Sequence, residues 1–296
     1  DVTTPPEPAP PVGATGGSPP EPARLPFEPE MVLIPAGPFL MGSPKSYKLR
    51  DDDEPVQFEL DLDYDYAIGK YPVTVGQYRA FMEAGGYRDQ AYWTQAGWQW
   101  RESEKRARPS YWTDKKWTGD DNLPVIGVSW YEVYAYTRWL AEATGRDYRL
   151  PTEAEWEKAA RGGLQIPDGK GGLKKNPNPA RIWPWGDERP TKELCNFGIN
   201  IGQTSPVTSH AAQAKAQPYG LYHMAGNVWE WCLTKWANPY QVQEDNDPAG
   251  DSLRVLRGGS WLVNQGYARA SSRGRGSPVD RDGNGGFRVA RSYLKK

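Results

Sequence analysis

From Gly163 to the C-terminus the chain carries almost no hydrophobic periodicity, and glycine and proline recur throughout. The apolar pieces in that half are short: residues 220–224, 253–256 and 286–290. Such a stretch is poor material for alternating long strands with long helices, which argues against a doubly wound parallel sheet. Its 32 glycines, 28 prolines, 14 tryptophans and 17 tyrosines point the same way. Turn formers and aromatics in place of aliphatics predict an α+β fold with few helices, short strands and many ordered loops around an aromatic core.

The N-terminal half is more regular. Residues 31–41 (MVLIPAGPFLM) read as two short strands around a turn, and 58–66 (FELDLDYDY) as a strand with one wet face. Thr74 with Gln77 and Thr152 with Glu155 form capping boxes. Ser129 caps a helix whose Val133, Tyr136, Leu140 and Ala143 share a face; glycines at 85–86, 145 and 162–163 end the three helices. Residues 1–26 are Pro- and Gly-rich with almost nothing to bury, and read as a disordered linker before one domain over 27–296. That linker, and a start at Asp1 rather than Met, imply something upstream. Lys plus Arg number 36 and Asp plus Glu 37, a net charge of -1, which speaks against nucleic-acid binding by bulk charge. Mean hydropathy is -0.79. No run approaches the ~20 apolar residues of a membrane span, so no membrane insertion is expected. Two unpaired-looking cysteines fit a cytoplasmic location, and the linker fits a cell-surface one.

Eight strings carry a resemblance. They are MVLIPAGPFLMGS (31–43), IGKYPVTVGQYRAF (68–81), PVIGVSWYEVYAYTRWL (124–140), RLPTEAEWEKAARGG (149–163), WPWGDE (183–188), YGLYHMAGNVWEW (219–231), RVLRGGSW (254–261) and GGFRVAR (285–291). Their order and spacing resemble the formylglycine-generating enzyme family, also called the sulfatase-modifying-factor domain, over about residues 27–292. The resemblance implies a variant of the C-type lectin fold.

It also implies chemistry that can be checked residue by residue. Oxidising members of the family hold copper with two cysteines five apart, soon after the RGGS string; thiolates suit soft Cu(I). The matching positions here are Val263 and Ala268, which offer no ligand. Cys195 and Cys232 lie elsewhere and read as small buried hydrophobes. A related branch uses iron held by three histidines, and this chain has only His210 and His223. On that ligand count the chain is expected not to be an enzyme and to require no cofactor. The family's calcium sites map onto Asn196, the Phe197 carbonyl and Asn200, and onto His223, the Gly226 and Val228 carbonyls and Glu230. Calcium takes oxygen ligands, and His223 stands where an oxygen side chain is expected.

A second resemblance lies in the segment 261–286, WLVNQGYARASSRGRGSPVDRDGNGG. It looks like the C-terminal region of variable proteins of diversity-generating retroelements, in which fixed Ala, Arg and Pro separate variable residues between RGGSW and GFRV. Their variable codons descend from AAC-type codons and read N-N-C, which cannot encode Trp, Met, Gln, Glu or Lys. The matching positions are Leu262, Val263, Asn264, Gly266, Tyr267, Ser272, Gly274, Gly276, Ser277, Val279, Asp280, Asp282, Gly283, Asn284 and Gly285, and all satisfy the rule. This implies a ligand-binding face for an unidentified protein or other macromolecule, with Tyr267 as aromatic anchor. Arginines 269, 273, 275 and 281 are expected to bond loop carbonyls and carboxylates. Two other readings stand beside it: a fixed sensor or interaction module fused to a signalling protein, and an oxidase or tailoring enzyme with a relocated site.

Overall fold

The computed structural model describes residues 23–293, so most of the proposed linker and the last three residues lie outside the described residues. In chain order the strands are β1 (Met31–Ile34), β2 (Gly37–Met41), β3 (Phe58–Leu62), β4 (Tyr66–Gly69), β5 (Tyr148–Arg149), β6 (Gln165–Pro167), β7 (Leu173–Lys175), β8 (Trp229–Lys235), β9 (Arg254–Arg257), β10 (Arg273–Gly276), β11 (Gly285–Gly286) and β12 (Ala290–Ser292). The helices are α1 (Val75–Glu83), α2 (Gln95–Ser103), α3 (Lys115–Thr118), α4 (Trp130–Thr144), α5 (Glu153–Arg161) and α6 (Ala211–Ala216). None is long and apolar enough to cross a membrane. Short strands, few helices and long loops give the expected α+β class.

The three sequence-predicted helices begin where their caps place them. Thr74, Ser129 and Thr152 each accept from the backbone N–H three residues on, and Gln77, Glu132 and Glu155 return the bond. Each reciprocal pair satisfies two N–H groups that a helix start otherwise leaves open. Gly145 ends α4 at a φ of 66°, a left-handed conformation that glycine adopts without cost.

α1 and α4 pack through rings. Tyr78 stacks on Tyr136 with centroids 5.5 Å apart, and Phe287 meets both rings edge-on. This is the aromatic core that the composition predicts. β12 lies between β4 and β5 in the sheet β1-β4-β12-β5, so the C-terminal strand closes against the first part of the chain. The second sheet runs β10-β9-β8-β11, with β11 parallel to β8. The segment 262–285 follows β9, contains β10 and ends in β11, so the sheet holds it at its middle and near both ends.

Candidate functional site

Buried ion pairs hold the C-terminal segment. Arg257 and Arg273 both reach Glu153 at the start of α5, at 3.3 and 2.6 Å, and Arg257 also reaches Glu157 at 2.6 Å. Arg269 donates to Glu54 at 2.9 Å, and Arg288 grips Glu230 through Nε and Nη2 at 2.6 and 2.8 Å. Burial alone would raise the Glu54 carboxyl, yet the Arg269 hydrogen bond and charge hold it below the usual range. Arg281 makes two 3.0 Å bonds to buried Glu132. Arg269, Arg273 and Arg281 therefore bond carboxylates and carbonyls, as expected of them. Arg275 is exposed and lies over the Trp236 ring.

On this frame the proposed variable positions divide. Leu262, Tyr267 and Val279 are 47, 41 and 40% exposed, and Asn264 and Asp282 are exposed as well. Val263, Gly266, Gly274, Ser277, Asp280, Gly283 and Asn284 are partly buried. Three positions correct the expectation of a face running through the whole segment: Ser272, Gly276 and Gly285 are buried. A Cβ at Gly276 would lie 2.6 Å from the Trp231 ring, so no side chain fits there as the chain stands. Several polar members serve their own loops: Asn264 accepts from Gly266 N, Asp280 from Ser277 N, and Asn284 donates to Ser260 Oγ.

The structure adds rings that sequence reasoning missed. Trp117 lies in α3 and Tyr111 in the loop before it. Trp117 packs on Trp261 at 5.8 Å and on Tyr111 at 6.4 Å, and Trp229 meets Tyr267 edge-on at 6.2 Å. The Trp261 indole donates to Gly283 O, which ties the two ends of the segment. Trp156 and Trp231 are core, whereas Trp229 and Trp261 are only partly buried and belong to this surface. The result is an aromatic face with exposed apolar side chains at Tyr111, Leu262, Tyr267 and Ile199.

The metal expectations meet definite geometry. Val263 is partly buried and accepts from Gly198 N; Ala268 packs in a small cluster with Trp183, Cys195 and Ala225. Neither offers a copper ligand, and both cysteines are buried and free, as read from the sequence. The Glu230 calcium set does not fit: Arg288 takes both carboxylate oxygens, and the Trp156 indole adds a bond at 2.6 Å. His223 is buried beside His210 and Arg288, and burial first, then those charges, lower it to about 3, so it stays neutral. The Gly226 carbonyl already accepts from Val228 N. In the other set Asn196 Nδ2 sits among Gln203 O, Ser205 Oγ and Asn227 Oδ1. Its Oδ1 is buried without a partner, while the Asn200 amide turns to Cys195 O and the Phe197 carbonyl accepts from Asn200 N. That set has no carboxylate, and the amide holds the place among the oxygens that a cation would take. Among the described residues no cluster of three or more His, Cys, Asp or Glu is arranged to hold an ion.

Comparison with known proteins sets this geometry in a family. Hercynine oxygenase from Mycolicibacterium smegmatis is 33% identical over 285 residues, covering 88% of this chain and 60% of that protein. The chain therefore spans about three-fifths of that relative's length. Formylglycine-generating enzyme from Thermomonospora curvata is 31% identical over 311 residues, covering 89% of this chain and 94% of that one. These relatives are named as enzymes, which overturns the expectation drawn from Val263, Ala268 and the two histidines that the chain is not one. That expectation tested only the ligand sets of two known chemistries. Among solved structures, PvdO from Pseudomonas aeruginosa is 29% identical with a TM-score of 0.66, covering 91% of this chain and 96% of that one. Treponema denticola variable protein 1 shares the fold at 22% identity and a TM-score of 0.58, covering 89% of this chain and 95% of that one. Residues 18–293 match the model of the sulfatase-modifying factor enzyme 1-like domain, and the chain belongs to that family.

Proposed function

We propose that the chain is a ligand-binding protein whose aromatic C-terminal face is diversified by a retroelement. The observation that carries this reading is the division of the segment 262–285. Side chains at 262, 264, 267, 279 and 282 are exposed, while Arg269 and Arg273 between them are buried in ion pairs. Such a frame keeps its backbone while the exposed side chains change. Tyr267 and Leu262 anchor the ligand beside Trp229 and Trp261, and Asp282 adds polar selectivity.

The test is deep sequencing of the last ~40 codons of the gene across a natural population of its source. The expected result is substitution at adenine-derived bases, concentrated at the exposed positions and absent at Ser272 and Gly276. A uniform gene end would remove diversification and leave a fixed interaction module. Because the family contains enzymes, the same protein is assayed for oxygen uptake with hercynine and with a cysteine peptide. Uptake would make the face a substrate site.

A further inference from the structure

A cleft of about 630 Å³ opens between the loop 105–113 and Arg281, with Met82 and Trp112 in its wall. Among the described residues no acidic side chain lines it. Residues 101–116 hold six Lys and Arg against three Asp and Glu, a local balance of +3 in a chain of net -1. Lys105 and Arg108 are exposed and, among the described residues, enter no ion pair. Arg106 contacts Glu104 at 3.1 Å, yet its buried Nε has no partner.

The cleft is held in shape. Arg281 donates to the Arg108 carbonyl as well as to Glu132, and Ser110 N donates to Gly127 O at 2.8 Å. Tyr111 adopts a φ of 63°, a conformation that a bulky residue keeps only where its surroundings impose it. Tyr111 also belongs to the aromatic face, and Arg281 to the segment 262–285, so cleft and face are continuous. The positive character is local: Asp114, Asp280 and Asp282 lie in the segments flanking it. A run of backbone phosphates along the face would meet those carboxylates, whereas one anionic group in the cleft would not.

We infer that this cleft receives a single anionic group, a carboxylate or a phosphate, of the ligand whose remainder lies on the aromatic face. The inference rests on the binding-face reading above. Lys105 supplies a point charge and Arg108 a planar fork, which together suit either oxyanion.

The experiment uses the full chain and follows its tryptophan fluorescence. The probes are hexaglutamate, a short phosphoserine peptide, inorganic phosphate and oligothymidylate. Saturable binding of hexaglutamate is expected if the source is carboxylate, and of the phosphoserine peptide and phosphate if it is phosphate. The double variant Lys105→Ala, Arg108→Ala should weaken that binding about tenfold, and Arg108→Glu should abolish it. Both residues are exposed, so circular dichroism should show an intact fold, and the charge-matched control Lys174→Ala, Lys175→Ala should bind as the parent does. The inference is overturned if no carboxylate or phosphate probe saturates at millimolar concentration, or if the double variant binds undiminished. Tighter binding of oligothymidylate than of either peptide would overturn it in favour of a nucleic acid. None of these outcomes depends on whether the gene varies, so failure here and failure of the diversification reading are separable.

Discussion

Glu230 is fully buried and Glu244 partly so, and they differ in what faces them. Glu230 meets the Arg288 fork, which compensates its charge in place. Among the described residues no cation is paired with Glu244. Its Oε1 accepts from Ala154 N at 2.9 Å and from Tyr240 at 3.0 Å, and its Oε2 from Thr234 at 3.3 Å. Burial first, then the Glu153 charge, raise it to about 7, against the opposing pull of the Tyr240 and Ala154 bonds. In the unfolded chain the group ionises near its ordinary value of 4.5. Between 4.5 and about 7 the folded protein thus binds more protons than the unfolded chain. The contribution of this group to stability is full below that window and is lost as pH rises through it. Glu244→Gln keeps the acceptor toward Ala154 and Tyr240 and removes the ionisation. The variant should match its parent near pH 5 and exceed it by roughly 1–3 kcal/mol near pH 8. Urea unfolding at both values measures this, and an unchanged pH slope would show that Glu244 is ionised throughout.

At the scale of elements, β10 sets a firmer limit. Gly276 lies against Trp231, and the nearest ring atom is 2.6 Å from where a Cβ would stand. Gly276→Ala should cost about 1–3 kcal/mol by overpacking. Gly285→Ala should be nearly neutral, since its Cβ would find nothing closer than 3.8 Å although the site is buried. Equal midpoints for the two variants in chemical denaturation would contradict this placement. Such limits were not legible in the sequence, where both positions read simply as N-N-C-encodable glycines. What was legible was local. The caps at Thr74, Ser129 and Thr152 named three helices because the bond partner lies three residues on. Caps also mark α2 and α3, where Thr94 accepts from Gly97 N and Asp114 from Lys116 N. Those signals sit in a polar stretch without an apolar stripe, and they went unread. α6 begins at His210 with no side-chain cap, so no such signal existed. α5 hides a different fact: five of its nine residues are charged and all nine are buried. Its partners, Arg257 and Arg273, are a hundred residues or more away in sequence. The same distance concealed Tyr111 and Trp117 from a reading confined to residues 261–286.

For the whole molecule, the question is whether the frame and the face are energetically separate. The frame couples distant parts of the chain: Glu54 to Arg269, Glu153 to Arg257 and Arg273, Glu132 to Arg281. Removing one partner of a buried pair leaves an uncompensated charge and costs about 3–5 kcal/mol. Among the described residues the exposed face side chains enter no such ion pair. Exposed substitutions away from special contacts usually change stability by less than about 0.5 kcal/mol each, and separated sites add. A combined variant Leu262→Ser, Val279→Ser, Asp282→Asn should therefore unfold within about 1.5 kcal/mol of the parent. Arg273→Met alone should lose about 3–5 kcal/mol, because Glu153 then shares one cation where it had two. Guanidinium unfolding of both variants beside the parent decides the matter. If the triple variant falls as far as Arg273→Met, face and frame are one cooperative unit, and a diversified face on this fold becomes untenable. If only Arg273→Met falls, the chain has the separation that many sequences on one backbone require, and the tolerance lies in loops whose ends are fixed by β9, β10 and β11.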